Sequence, residues 1–352
     1  MTSAVKNVQS TLQENFGGFG HNAAGSEHQF SIDNVPDQTG RVAVVTGGSE
    51  GIGYGCTRSL LAKDIGKLYI LSLSKEVVEG AYNAIKQDLG EESAKRTHWI
   101  QCDLSDWKQA ANVAKEISNS TDRLDILINN AARGIMTAQL TDYGVDRHMA
   151  LNHMGHVILT SHLLPLMKKT ASANNKVRFV NLGSNAHEQV PKDLSFKNLE
   201  VMNSDLGPMG TYGRSKLAAL LYSRYLARHL TKEHPNILAN ATHPGFVDTA
   251  MTDKHIHEPY PCKQFIPQNT LVIPSLTTFH SGRLRHVRRP EGFHERPVAG
   301  LHVYGLGRDL HRQERRVHLP TCDARAWQRD VERRGFGGGD DEADARRCGR
   351  ED

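Results

Sequence analysis

Short apolar runs recur along the first 260 residues, each four to six residues long and most with β-branched side chains: Val42–Val45, Leu68–Leu73, His98–Cys102, Leu124–Ile128, Val177–Leu182 and Ile237–Ala241. Longer stretches with a helical spacing of apolar positions separate them. Strands without polar alternation, joined by amphipathic helices, predict βαβ units around a buried parallel sheet. Right-handed crossovers then set helices on both faces. The expected fold class is α/β: a single doubly wound parallel sheet (Rossmann) over residues 39–262, with the last strand and helix missing. Residues 1–38 are polar, carry Gly17, Gly18, Gly20 and Gly25, and read as an extension over the surface.

Composition narrows the class. Hydrophobic residues make up 38% and charged residues 23%, which is ordinary for a globular chain and excludes one that is largely disordered. The most apolar stretch, His156 to Met167, is broken by Thr160, Ser161, His162 and Pro165, so no membrane span is expected. The first thirty residues lack a signal-peptide core, and Glu14 and Glu27 argue against a transit peptide. Cys56, Cys102, Cys262, Cys322 and Cys348 have no metal or disulfide spacing, which points to a reducing compartment, the cytosol.

The first strand runs into Thr46-Gly-Gly-Ser-Glu-Gly-Ile-Gly53 and then a helix. Strand, glycine-rich turn and helix start make a phosphate cradle. Gly47 permits the tight turn, Gly51 lets backbone approach a pyrophosphate, and Gly53 allows close helix–strand packing. The second strand ends in Leu71-Ser-Leu-Ser-Lys75, and no acidic residue comes before Glu76. Ser74 and Lys75 could hold the extra phosphate of NADP, so NADP is favoured and NAD is the alternative.

In order and spacing, these motifs resemble the short-chain dehydrogenase/reductase family, closest to its retinol-dehydrogenase-like branch and the fungal oxidoreductases there. The resemblance runs from about Pro36 to Pro261. It implies cofactor contacts from Gly47, Ser49, Gly51, Ile52 and Gly53, and from Asp103 and Leu104 of Cys102-Asp-Leu104, with Asp103 beside the adenine. Asn130 of Asn129-Asn-Ala-Ala132 joins them, Ala132 standing where the family has glycine. Val247 and Thr249 of Pro244-Gly-Phe-Val-Asp-Thr249 imply a loop closing over the nicotinamide. Ser184 and the pair in Tyr212-Gly-Arg-Ser-Lys216 match the catalytic set, and Asn152 matches the asparagine that holds a relay water. A homodimer is a further family expectation.

Tyr212 and Lys216 also make chemical sense together. Four residues apart on a predicted helix, they face one side, and a cation there is expected to lower the phenol pKa. Ser184 would hydrogen-bond the substrate oxygen. The stretch from Ala186 to Gly210 would wall the pocket with Val190, Leu194, Phe196 and Met209, which suggests a lipophilic carbonyl or alcohol. A nucleotide-binding protein without turnover is the rival reading.

The chain changes character after Lys263. All seventeen lysines lie at or before it, and the remaining 89 residues carry sixteen arginines and no lysine. An arginine-rich nucleic-acid arm would explain this, but a shifted reading frame explains more. Read from the second codon base, Gly282–Arg289 can become GGYGMSVG, His311–Asp323 TDKSGVYICPPA and Asp340–Arg350 MMKLTREDVG. These resemble the family's substrate loop, last strand and closing helix. Cys262-Lys263 can encode a splice donor and Phe279-His-Ser281 an acceptor. Residues 263–281 therefore read as a translated intron and 282–352 as out-of-frame product, with no nucleic-acid partner expected.

Overall fold

The computed structural model of the chain describes residues 32–244 and the backbone of residues 302–303. In chain order the elements are β1 (Val42–Thr46), α1 (Gly51–Leu61), β2 (Lys67–Ser72), α2 (Lys75–Leu89), α3 (Glu91–Lys95), β3 (Thr97–Gln101), α4 (Trp107–Ser120) and β4 (Ile126–Asn129). Then come α5 (Arg147–Met149), a π-helical turn Ala150–Gly155, α6 (His156–Thr170), β5 (Val177–Leu182), α7 (Leu199–Asn203), α8 (Gly207–Glu233), β6 (Ile237–His243) and β7 (His302–Val303). All six apolar runs are strands, their bounds shifted by a residue or two at most ends.

The sheet order is β3-β2-β1-β4-β5-β6-β7, and the first six strands are parallel. Every residue of β1 is buried. Its alternate side chains feed two cores: Val42 and Val44 pack with Leu127, Ile117, Leu159 and Phe179 on one face. Ala43 and Val45 pack with Leu60, Leu68, Ile70 and Ile85 on the other. A strand covered on both faces reads as an unbroken apolar run, because neither side meets water. Each such side chain contributes about 1.5–3 kcal/mol.

At the N-terminal edge of the sheet, the fully buried Asp125 is a staple. It accepts from Val42 N (2.9 Å), from Arg123 Nε (2.9 Å) and Nη2 (2.7 Å), and from Asn175 Nδ2 (3.0 Å). Burial alone would raise its pKa, but these donors outweigh it and hold the carboxylate below its ordinary range.

At the other edge, strand order reverses between β1 and β4, so the loops leaving these strands part and open a crevice at their C-terminal ends. On its outer side β6 meets β7 antiparallel, at Thr242↔Val303 and His243↔His302. The outer edge of β6 is therefore covered over two residues. Residues 1–31, Val247, Thr249 and, apart from residues 302–303, the tail from 263 onward lie outside the described residues.

Candidate active site

The glycine turn after β1 adopts the conformation its sequence asks for. Gly47 and Gly51 have φ of +62° and +54°, the region where a side chain is strained. At Gly53 a Cβ would collide with the Gly47 carbonyl, so α1 lies against the turn. The α1 N-terminus has Glu50 as its cap residue with no side-chain cap hydrogen bond. Its leading amides are oriented for an anion, and Ile52 and the buried Ser49 flank them. A dinucleotide pyrophosphate fits this donor set.

The ends of the neighbouring strands complete the cradle. Gly47 N donates to Leu71 O of β2 (2.7 Å), and Asn130 Nδ2 donates to Thr46 O (2.9 Å) and Gly47 O (3.3 Å). Asn130 thus braces the turn. Asp103 follows β3, its Oδ1 accepting from Ser105 N (2.8 Å) and Ser105 Oγ (2.6 Å), with Arg147 Nη2 3.7 Å from Oδ2. Leu104 is buried in the core. Ser74 caps α2, accepting from Val77 N (3.3 Å) and donating to Glu76 Oε2 (2.8 Å). Lys75 is exposed and 3.7 Å from Glu79 Oε1.

Four expected catalytic residues converge beyond β4 and β5. Ser184 ends the strand segment and caps the turn Asn185–Gln189 through Ala186 N (3.2 Å). Its hydroxyl lies close enough to the Tyr212 phenol to favour the ionised form. That approach depends on Gly213, where a Cβ would strike the Ala186 carbonyl. Lys216 is buried, its Nζ donating to Leu182 O (2.9 Å) and lying 5.6 Å from the Tyr212 ring centroid. Asn152 sits on the π-helical turn, whose extra residue re-aims a side chain. Its Oδ1 accepts from Arg133 N (2.7 Å), and its Nδ2 donates to Arg133 O (3.1 Å) and Ser215 Oγ (2.9 Å).

Electrostatics overturn one expectation. Burial pushes the Tyr212 phenol up to about 12, and the neighbouring Ser184 hydroxyl offsets only part of this. Burial pushes Lys216 down to about 8. The pair lies on one helix face as expected, but desolvation is the largest influence on each group. The phenol is therefore protonated at neutral pH.

The inserted segment also differs from its expected role. Val190 and Leu194 pack against Leu217 and Leu221, with Phe196 beside them, so they anchor the segment to α8 rather than wall an open pocket. Arg214, fully buried, pins it further: Nη1 donates to Ser204 O (2.8 Å), Ser204 Oγ (3.1 Å) and Val201 O (3.2 Å).

Comparison with known proteins now bears on this geometry. The family model for short chain dehydrogenases matches residues 41–195. A short-chain dehydrogenase/reductase of Armillaria gallica is 35% identical over 230 residues, 63% of this chain and 71% of its own length. The chain belongs to the short-chain dehydrogenase/reductase family. A Neurospora crassa protein named as an oxidoreductase, bli-4, and as mitochondrial is 53% identical over 268 residues, 75% of this chain. The alignment spans 65% of that relative's length, just under two thirds. A polyprenol dehydrogenase of Danio rerio is 30% identical over 224 residues, covering 64% of this chain and 67% of its own.

Within this short-chain dehydrogenase/reductase, reading the sequence missed Thr46, His156, Ser215 and the buried ladder Thr160–Asn129–Asn181–Ser223. In that ladder Asn129 Nδ2 donates to Thr160 Oγ1 (3.1 Å) and Asn181 Oδ1 (3.1 Å), and Asn181 Nδ2 to Ser223 Oγ (2.7 Å). A usable signal existed: polar residues inside otherwise apolar runs must find partners when buried. Among the described residues no cluster of three metal-ligating side chains occurs, and no helix is long and apolar enough to cross a membrane.

Proposed function

We propose that the chain is an NAD(P)(H)-dependent oxidoreductase interconverting a carbonyl and an alcohol, with Tyr212 as proton donor and acceptor. The observation that carries this reading is the meeting of Tyr212, Ser184 and Lys216 at the C-terminal end of β5, next to a cradle that fits a dinucleotide. NAD(P)H, when bound, would supply the hydride on reduction, and its oxidised form would accept it in reverse. Ser184 holds the substrate oxygen. The Tyr212 O–H gives its proton to that oxygen as the carbon gains hydride, so C=O becomes CH–OH. A phenol kept protonated at pH 7 supports the reducing direction. Asn152 positions the Arg133 backbone and α8, and a relay water there belongs to the proposal.

NADPH is the favoured coenzyme, because the first carboxylate after β2 is Glu76 and the exposed Lys75 opens α2. A lipophilic substrate is supported by the polyprenol dehydrogenase name of relatives at 30% identity. Self-association as a homodimer and a cytosolic location complete the reading. The word mitochondrial in the Neurospora relative's name favours the mitochondrion as a second location, and a fluorescent fusion would separate the two.

The test is NADPH consumption by the purified chain with aldehydes and ketones of increasing chain length. Tyr212→Phe is expected to lose about 10²–10⁴-fold in kcat while still binding NADPH. Coenzyme binding with no turnover of any carbonyl would favour the nucleotide-binding protein without turnover.

A further inference from the structure

The nicotinamide-side machinery and the coenzyme turn are joined by one buried imidazole. His156, 3% exposed, opens α6 directly after the π-helical turn. Its Nε2 lies 2.8 Å from Thr46 Oγ1, and its Nδ1 3.1 Å from Asn152 O. The protonation pattern follows from the partners. A carbonyl can only accept, so Nδ1 carries the hydrogen and donates it to Asn152 O. Nε2 is then an acceptor. Thr46 Oγ1 accepts from Asn130 N and Ala131 N, both at 2.9 Å, which fills its lone pairs. Its proton goes to Nε2, since the alternative, Ile128 O, is 3.4 Å away. Burial also keeps the imidazole neutral at physiological pH.

Each end of this bridge leads to a different part of the site. Thr46 is the last residue of β1 and precedes Gly47 of the turn, which Asn130 braces. Asn152 leads through Ser215 Oγ (2.9 Å), which donates to Tyr212 O (2.7 Å), to the helix that carries Tyr212. We propose that His156 is a positioning residue that registers the coenzyme turn against Asn152 and Tyr212. Its Nε2 side fixes the turn, and its Nδ1 side fixes the π-helical turn. The inference rests on the reading of Tyr212 as proton donor.

The two sides can be separated. His156→Leu removes both hydrogen bonds, whereas His156→Asn keeps an amide donor near Nδ1 and loses reach to Thr46. In the full chain, NADPH Kd is measured by fluorescence titration, kcat at saturating NADPH, and Tm as a folding check. His156→Leu is expected to raise Kd and lower kcat, each by about tenfold or more. His156→Asn is expected to raise Kd by a similar factor with kcat within about threefold of the parent.

A folded His156→Leu with parental Kd and kcat overturns the inference, and so does a His156→Asn that loses kcat as His156→Leu does. If His156→Leu does not fold, a parental Kd in His156→Asn overturns it. Tyr212→Phe run alongside separates the two failures. Undiminished turnover there overturns the proton-donor reading and this inference with it. Lost turnover there, with a parental His156→Leu, overturns this inference alone.

Discussion

Lys216 gives its ammonium to the main-chain carbonyl of Leu182, 2.9 Å away at the end of β5. The hydrogen bond fixes the helix of Tyr212 to the strand that leads to Ser184. Burial accounts for both shifts, the phenol moving up and the lysine down.

A pH profile follows from these shifts. Lys216 titrates near 8, so its charge is complete below about pH 7 and lost as pH rises through 8 and beyond. Tyr212, at about 12, stays protonated across this range. We expect kcat/KM for carbonyl reduction to be level below neutrality and to fall above about pH 8, since that ratio reports free-enzyme groups. Lys216→Met should lack this limb and lie about 10²-fold lower throughout. A profile in Lys216→Met that still falls near pH 8 would assign the limb elsewhere.

Arg214 ties α7 to α8 through Val201 and Ser204, while its Nε and Nη2 have no hydrogen-bond partner among the described residues. Arg214→Met keeps the bulk and removes the pin. The expected result is an approximately tenfold higher KM for long-chain carbonyls with kcat nearly unchanged, as about 1.4 kcal/mol of positioning is lost. Steady-state kinetics across a chain-length series would detect it, and equal effects on kcat would place Arg214 nearer the chemistry.

Asp125 lies at the opposite end of the sheet from Tyr212, so it separates stability from catalysis. Asp125→Ala leaves the Val42 amide without its acceptor while Arg123, 42% exposed, turns to water, and a loss of about 1–3 kcal/mol is expected. Denaturant unfolding measures this directly. At permissive temperature the folded fraction should keep the parental KM.

Residues 263–281 are proposed to be retained intron sequence. Transcripts across the codons for Pro261 to Gly282 should include a form lacking the bases between the two splice signals. That form encodes the shifted text that resembles the family's closing elements. Transcripts that all retain the segment would refute the proposal.

Much of this architecture was legible in the chain. Apolar runs bounded by turns gave the six strands, because a strand buried on both faces is built mostly of apolar side chains. Gly47 and Gly53 also announced themselves, since a positive φ and a close helix approach each exclude a Cβ. The spacing of Tyr212 and Lys216 set them on one face of a helix. What the sequence did not determine is how each polar group spends its hydrogen bonds and how much burial costs it. Lys216 reaches Leu182, His156 spans Thr46 and Asn152, and Val190 and Leu194 turn into the core. These outcomes join residues as many as 110 positions apart, and desolvation depends on everything packed around a group. Local pattern fixes which face a residue takes, and only the tertiary fold decides what it meets there.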